Sequence, residues 1–295
     1  HRIMRRLPIA GDVRVQEGDQ VSADNIVAET NLPGDVHPIN LANQMSLPPA
    51  DVVSCMLKKE GDSIALDEPL AQSKGLFGMF KTTVNSRFEG TVETVSPVTG
   101  QVIIRGAPLP VQVRAYMTGT VVDVRPNEGC EVEADVAYVQ GIFGVGGETQ
   151  GRIKLACSTY DQELTKNEIT DDMEGCVIIG GARMTVDAIR RALEVKAAAI
   201  ISGGIDDQDL KELLGYDLGV AITGREDLGI TVIVTEGFGE IAMAERTFDM
   251  LKEFEGREAS VNGATQIRAG VMRPEIIVPL EAPPASSSEG NFEEG

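Results

Sequence analysis

The sequence predicts a β module followed by a small α/β domain with a mostly parallel sheet. Three observations carry this reading: a turn-and-strand repeat in the first half, a switch to apolar strands alternating with helical periodicity after Cys176, and a composition able to build two cores. The chain has 295 residues, of which 42% are apolar and 4% aromatic. That length ordinarily makes about two domains of roughly 100–200 residues.

The repeat comes first. EGDQVSADNIVAE from Glu17, EGDSIALDEPLAQ from Glu60 and EGCEVEADVAYVQ from Glu128 align without gaps. Each has a turn glycine (Gly18, Gly61, Gly129) and an apolar residue three positions later (Val21, Ile64, Val132). Alternating runs VRV, VVSCML and TVVDV precede them, and a related hairpin, GTVETVSPVTGQVII, starts at Gly90. Apolar–polar alternation broken by Gly-Asp turns is the sequence form of short antiparallel strands with one buried face.

The pattern V-x-V-x-x-G-D-x-V-x-x-x-D-x-x-A resembles the hammerhead strand pairs of the biotinyl/lipoyl-like, or barrel-sandwich-hybrid, fold over residues 10–155. The resemblance implies a module of the kind found in carrier domains, efflux adaptors and respiratory subunits of the Rnf and quinone-reductase type. In carriers a modified lysine sits at a tight hairpin tip. Lys81 and Lys74 lie nearest that place here, in AQSKGLFGMFKTTVN, without an Asp-Lys-Ala or Met-Lys-Met context, so no lipoyl or biotinyl cofactor is expected.

Two further segments match each other: Gly75-Leu76-Phe77-Gly78-Met79 after the second repeat and Gly141-Ile142-Phe143-Gly144-Val145 after the third. Such Gly-flanked phenylalanines either plug a barrel or project as partner contacts. Exposed apolar tips rimmed by polar residues mark interaction sites, so Leu76, Phe77, Ile142 and Phe143 are the candidate partner-binding residues.

Residues 156–175 are polar and acidic and read as a linker, which divides a β domain over 1–155 from an α/β domain over 176–280. Within the latter, strands are expected at 176–181, 197–204, 218–224 and 230–237. Helices are expected near 185–195, with Thr185 as N-cap, and near 206–214 and 240–254. Two or three more strands follow, and residues 281–295 read as a disordered acidic tail.

Open α/β sheets bind ligands at the carboxyl ends of their strands. Here those ends are Gly180-Gly181, Ser202-Gly203-Gly204, Thr223-Gly224 and Thr235-Glu236-Gly237. Gly180, Gly181, Gly203, Gly204, Thr235, Gly237 and Gly239 are therefore candidates for a small anionic ligand, the alternative being that glycine merely makes tight turns. GFGEIA (237–242) fits G-x-G-x-x-A, but Glu236 and Glu240 flank it and would repel a pyrophosphate. Arg183, Arg225, Arg268 and Arg273 are the basic residues available to an anion. Asp206 and Asp207 could serve an oxygen-only cation site, although Asp206 reads more simply as a helix cap.

Charge and composition exclude several classes. A net charge of −20 argues against nucleic acid and anionic lipid, and no apolar run is long enough for a membrane span. HRIMRRLPIAG lacks the apolar core of a secretory signal. Two histidines, His1 and His37, leave no triad or His-based metal site. Cys55, Cys130, Cys157 and Cys176 stand 75, 27 and 19 residues apart, which fits neither a zinc site nor a redox pair and suits buried thiols in a reducing cytoplasm. No catalytic or metal-binding residue emerges. The reading that follows is a cytoplasmic, non-catalytic adaptor or assembly subunit with a protein partner or a homo-oligomer. The alternatives are a small-molecule-binding or enzymatic α/β domain and a subunit of a respiratory redox complex.

Overall fold

The computed structural model describes residues 1–73, 81–215, 228–265 and 272–280. Its contacts divide the chain into two compact units. One is Leu7–Asp12 with Glu29–Gln112; the other is His1–Arg6, Val13–Ala28 and Val113–Gly295. The first is thus an insertion within the second, and the expected division at 156–175 does not hold.

The two units carry the same sheet. In the inserted unit four strands run in the order Val36–Asn40, Gln101–Arg105, Gly90–Val95, Ser63–Ile64; in the other the order is Arg2–Arg6, Gly129–Glu133, Gly119–Arg125, Gln20–Val21. Every pairing in both is antiparallel, and each central hairpin has one register shift. A further strand pair follows each short strand, Pro69–Gln72 with Thr83–Asn85 and Ile26–Leu32 with Leu109–Arg114. The whole inserted sheet lies between the two strands of the second pair.

Equivalent side chains fill equivalent core positions. Val21, Val27, Val121 and Val132 are buried in one unit, and Ile64, Leu70, Val92 and Ile104 in the other. The turns also match. Gly18 and Gly61 have φ of 93° and 91°, a conformation that glycine alone adopts without steric cost, and each donates its N–H to a core valine carbonyl, Val121 or Val92, at 2.8 Å. The third repeat departs from this. Gly129 lies at φ 147° and opens an inner strand rather than a turn, so the EGC segment copies the residues without copying the structure.

The remainder of the second unit is a mixed sheet, in place of the mostly parallel one expected. Parallel pairings join Glu148–Leu155, Val177–Ile179, Ala199–Ile205 and Thr231–Phe238 in that order, with Arg183–Met184 beside Ala199–Ile205. Antiparallel pairings add Glu258–Asn262, Glu275–Pro279, Val136–Gln140 and Phe143–Val145. Strands that the sequence assigned to the β module therefore complete the α/β sheet. Val136–Gln140 and Phe143–Val145 stand at opposite ends of this path, yet only Gly141 and Ile142 separate them. Gly141 N–H donates to Pro274 O at 2.8 Å and Ile142 N–H to Val234 O at 2.9 Å. The sheet thus closes on itself through one bent segment.

Helices Val186–Glu194, Asp207–Leu214 and Glu245–Glu253 follow the parallel strands. Thr185 caps the first, its hydroxyl accepting from Ala188 N. Residues 156–175 are no linker: Leu164, Ile169 and Met173 are buried in the main core, and the 3-10 turns Lys166–Glu168 and Asp171–Met173 hold them there. Their polar neighbours mask three anchoring side chains at irregular spacing. Among the described residues no helix is long and apolar enough to cross a membrane. The expected strand 218–224 and the tail 281–295 lie outside the described residues.

Candidate functional site

Parallel strands Val177–Ile179, Ala199–Ile205 and Thr231–Phe238 do bring Gly180, Gly181, Gly203, Gly204 and Thr235 to one end of the sheet. The space beside these residues is occupied by the chain itself. A Cβ on Gly180 would meet Leu164 Cδ2 at 2.6 Å and Ser202 Oγ at 2.7 Å, and one on Gly181 would meet Thr159 O at 2.4 Å. On Gly203 it would meet Ile241 O and Met243 N at 2.4 Å, and on Gly204 the Gly239 carbonyl at 2.3 Å. These glycines admit two covering segments, residues 159–162 and 239–243. The coverings are bonded down: Ala182 N donates to Gln162 O at 2.7 Å, Met243 N to Gly181 O at 3.1 Å and Gly239 N to Ile205 O at 2.8 Å.

The hydroxyls are engaged as well. Ser202 Oγ donates to Ala182 O and Thr235 Oγ1 to Ser202 O. Gly237 belongs to a strand that runs on to Phe238, so GFGEIA makes no strand-to-helix phosphate turn. The expected helix from 240 begins only at Glu245, because Met243 N turns to Gly181 O and Ala244 N to the Glu236 carboxylate at 3.0 Å. Gly237 and Gly239, at φ 148° and 106°, make this reversal.

Arg183, an arginine at this end of the sheet, has acidic partners. Its guanidinium bonds Glu163 and Asp206, and Glu240 lies 3.6 Å away. Glu163 foremost, then Asp206, hold its pKa up, against the opposing effect of partial burial. Asp206 occupies the N-cap position but gives its carboxylate to Arg183 rather than to the helix. Burial, reinforced by Asp206, pushes the neighbouring Asp209 carboxyl up. One cation among three carboxylates presents net negative charge to an incoming anion. No group of acidic, Cys or His residues among the described ones is disposed to hold a metal ion.

The paired tips separate. Leu76 and Phe77 lie outside the described residues, as do Thr223, Gly224, Arg225 and Arg268. Phe143 is buried, its ring 5.2 Å from that of Phe238, which corrects its assignment as a partner contact. The Gly-apolar-Phe-Gly segment is the bend that closes the sheet, and Gly141 is needed because a Cβ would strike Ile233 Cγ2 at 2.7 Å. Ile142 faces outward at 46% exposure.

Comparison with protein-family models, with curated proteins and with solved structures gives no match to this chain. What it presents must be read from its own surface. In the inserted unit, helix Pro49–Cys55 buries Val52 and Cys55 and leaves Val53 exposed; Leu57, four residues on, is exposed too. The 96–100 turn sits beside the start of this helix, since Gly100 packs on Ala42 and on Pro49 Cα. Val98, within that turn, is 83% exposed. Sequence reasoning passed over these residues because VVSCML reads as a strand. Pro49 in the first helical turn, with Asp51 beside it, was the available helix-start signal.

Proposed function

We propose that this chain is a non-catalytic adaptor or assembly subunit that docks through the inserted β unit. The observation that carries the reading is the exposed set Val53, Leu57 and Val98 on a unit whose own core is complete without them. Scattered single apolar residues are ordinary on a surface; Val53 on the short helix, Leu57 just past its end and Val98 in the turn beside its start together suit a protein contact. The nested sheets support reading each unit as a barrel-sandwich-hybrid module, and the four free cysteines support a cytoplasmic setting. A ligand-binding α/β unit is the weaker reading, because its strand ends are covered and Arg183 is engaged by carboxylates.

The test is the size of the assembly in extracts of the source cells, compared with that of the same chain carrying Val53→Glu and Leu57→Glu. Both side chains already face water, so the fold should keep its melting temperature. The wild-type chain is expected in a particle well above its own 31.5 kDa, and the variant close to that mass. A wild-type chain running alone, or a variant that keeps the larger size, overturns the proposal.

A further inference from the structure

Phe238 and Ile241 form a second exposed apolar surface, on the unit that the docking reading leaves out. They stand at 42% and 39% exposure. Phe238 ends its strand opposite Ile205 and lays its ring 5.2 Å from that of the buried Phe143. The reversal at Gly237 and Gly239 then brings Ile241 back, its Cδ1 3.7 Å from the place a Gly237 Cβ would take. The backbone beneath is fixed: Gly239 N is bonded to Ile205 O and Met243 N to Gly181 O. Met243 goes into the core, whereas Ile241, two residues earlier, stays outside. An apolar side chain presented from a bonded-down segment loses little freedom when a partner covers it.

The rim of this surface is acidic. Glu240 precedes Ile241, its side chain 80% exposed and its Oε1 3.6 Å from Arg183 Nη1. Arg183 is already bonded to Glu163 and Asp206, so three carboxylates meet one guanidinium. Glu236, two residues before Phe238, accepts from Ala244 N with one carboxylate oxygen. Two copies of this chain meeting here would set these carboxylates against each other, and like charges brought together oppose association. A partner that carries Lys or Arg beside an apolar side chain matches both the patch and its rim.

We propose that this end of the closed sheet docks a basic segment of a partner protein, which sets an apolar side chain on Phe238 and Ile241 and its Lys or Arg groups among Glu240, Glu163 and Asp206. The assignment goes beyond the contact on the inserted unit and stands without it.

A displayed library of random peptides, selected on the whole chain and counter-selected on Ile241→Asp, tests both the place and the chemistry. Ile241→Asp removes the apolar contact but adds negative charge, so a merely electrostatic attachment would strengthen. Peptides that survive should carry Lys or Arg close to a large apolar residue. Synthetic copies should bind Ile241→Asp about tenfold or more weakly than the wild-type chain. They should also bind Glu240→Gln more weakly and release as salt rises. Their affinity for the chain carrying Val53→Glu and Leu57→Glu should not change; a loss there places the contact on the inserted unit and overturns this assignment. Neutral or acidic survivors overturn it, as do no survivors or a wild-type chain that pairs with itself while Ile241→Asp does not. Ile241 already faces water, so the variant should keep its melting temperature; should it not, Ile241→Ser takes its place in the same selection.

Discussion

Asp19 and Asp62 are the same residue in two copies of one turn. Each carboxylate accepts a 2.7 Å hydrogen bond from the backbone N–H three residues earlier, Gln16 or Lys59. Each carbonyl accepts at 2.9 Å from a core valine, Val121 or Val92. The match continues downstream, where Ser22 N and Ala65 N each donate at 2.8 Å to a side chain three residues on, Asn25 and Glu68. A four-stranded sheet has been duplicated, and one copy sits inside a strand-pair loop of the other. This relationship between units accounts for a chain whose halves, cut in sequence, are not its domains.

The duplicated turns allow a graded prediction. Gly61 has φ 91° and open space around its would-be Cβ, whereas Gly90 has φ 153° and the Arg105 carbonyl at 2.1 Å from it. Gly61→Ala should cost about 1–2 kcal/mol, the usual penalty of a left-handed residue. Gly90→Ala must also push its strand away from the paired Arg105 strand and should cost upwards of about 3 kcal/mol. Chemical denaturation of the two variants checks the order, and equal losses would show that the carbonyl contact does not govern.

The turns were legible because their chemistry is local: a glycine at positive φ followed by an aspartate that bonds back. The nesting was not, although G-T-V-x-x-V-x-P-x-x-G occurs at both Gly90 and Gly119 and signals the duplicated hairpin. A gapless alignment of three segments drew Glu128 into the repeat instead, on the strength of its glycine and alternation. Strand assignment after Cys176 succeeded for the same reason the parallel sheet was overestimated. Apolar runs such as VII (177–179) and AII (199–201) show burial on both faces but carry no information on direction. The strand-end glycines were correctly placed together; what fills the space beside them, backbone or ligand, is decided by residues 159–162 and 239–243, remote in sequence from most of those glycines.

The closing bend gives a second prediction. Phe143 is 8% exposed and packs on Phe238, which is 42% exposed. Phe143→Ala should therefore lose about 3–5 kcal/mol through the cavity it leaves. Phe238→Ala, with less to vacate, should lose under half as much. Thermal melts of the single variants suffice, and a Phe143 variant as stable as wild type would mean that the bend does not pin the sheet.

Limited proteolysis examines the segment whose polarity suggests a linker. Leu164, Ile169 and Met173 fix residues 156–175 to the main core, so early cuts should spare this stretch despite its charge. Leu164→Ala, which empties a fully buried site, should cost about 2–5 kcal/mol and open the segment to the protease. Mass spectrometry of the first fragments reads the outcome, and wild-type cleavage inside 156–175 would contradict its anchoring.

Cys157 supplies a prediction with a defined pH sign. It is buried just past the end of strand Glu148–Leu155, and burial pushes its thiol from 9.0 up to about 11. At neutral pH only about one molecule in ten thousand then holds a thiolate, so iodoacetamide should leave Cys157 unmodified until the protein unfolds. The raised pKa also acts on stability. The folded state keeps a proton that the unfolded chain begins to release near pH 9, so the contribution of Cys157 is complete below that pH and declines as pH climbs toward 11. Two units correspond to about 2.7 kcal/mol. Cys157→Ala, lacking the proton, should lose some stability to its cavity at every pH but show a shallower fall between about pH 9 and 11 than the parent chain. Denaturation midpoints measured at several pH values distinguish the two slopes, and parallel curves would show that the thiol ionises as freely folded as unfolded.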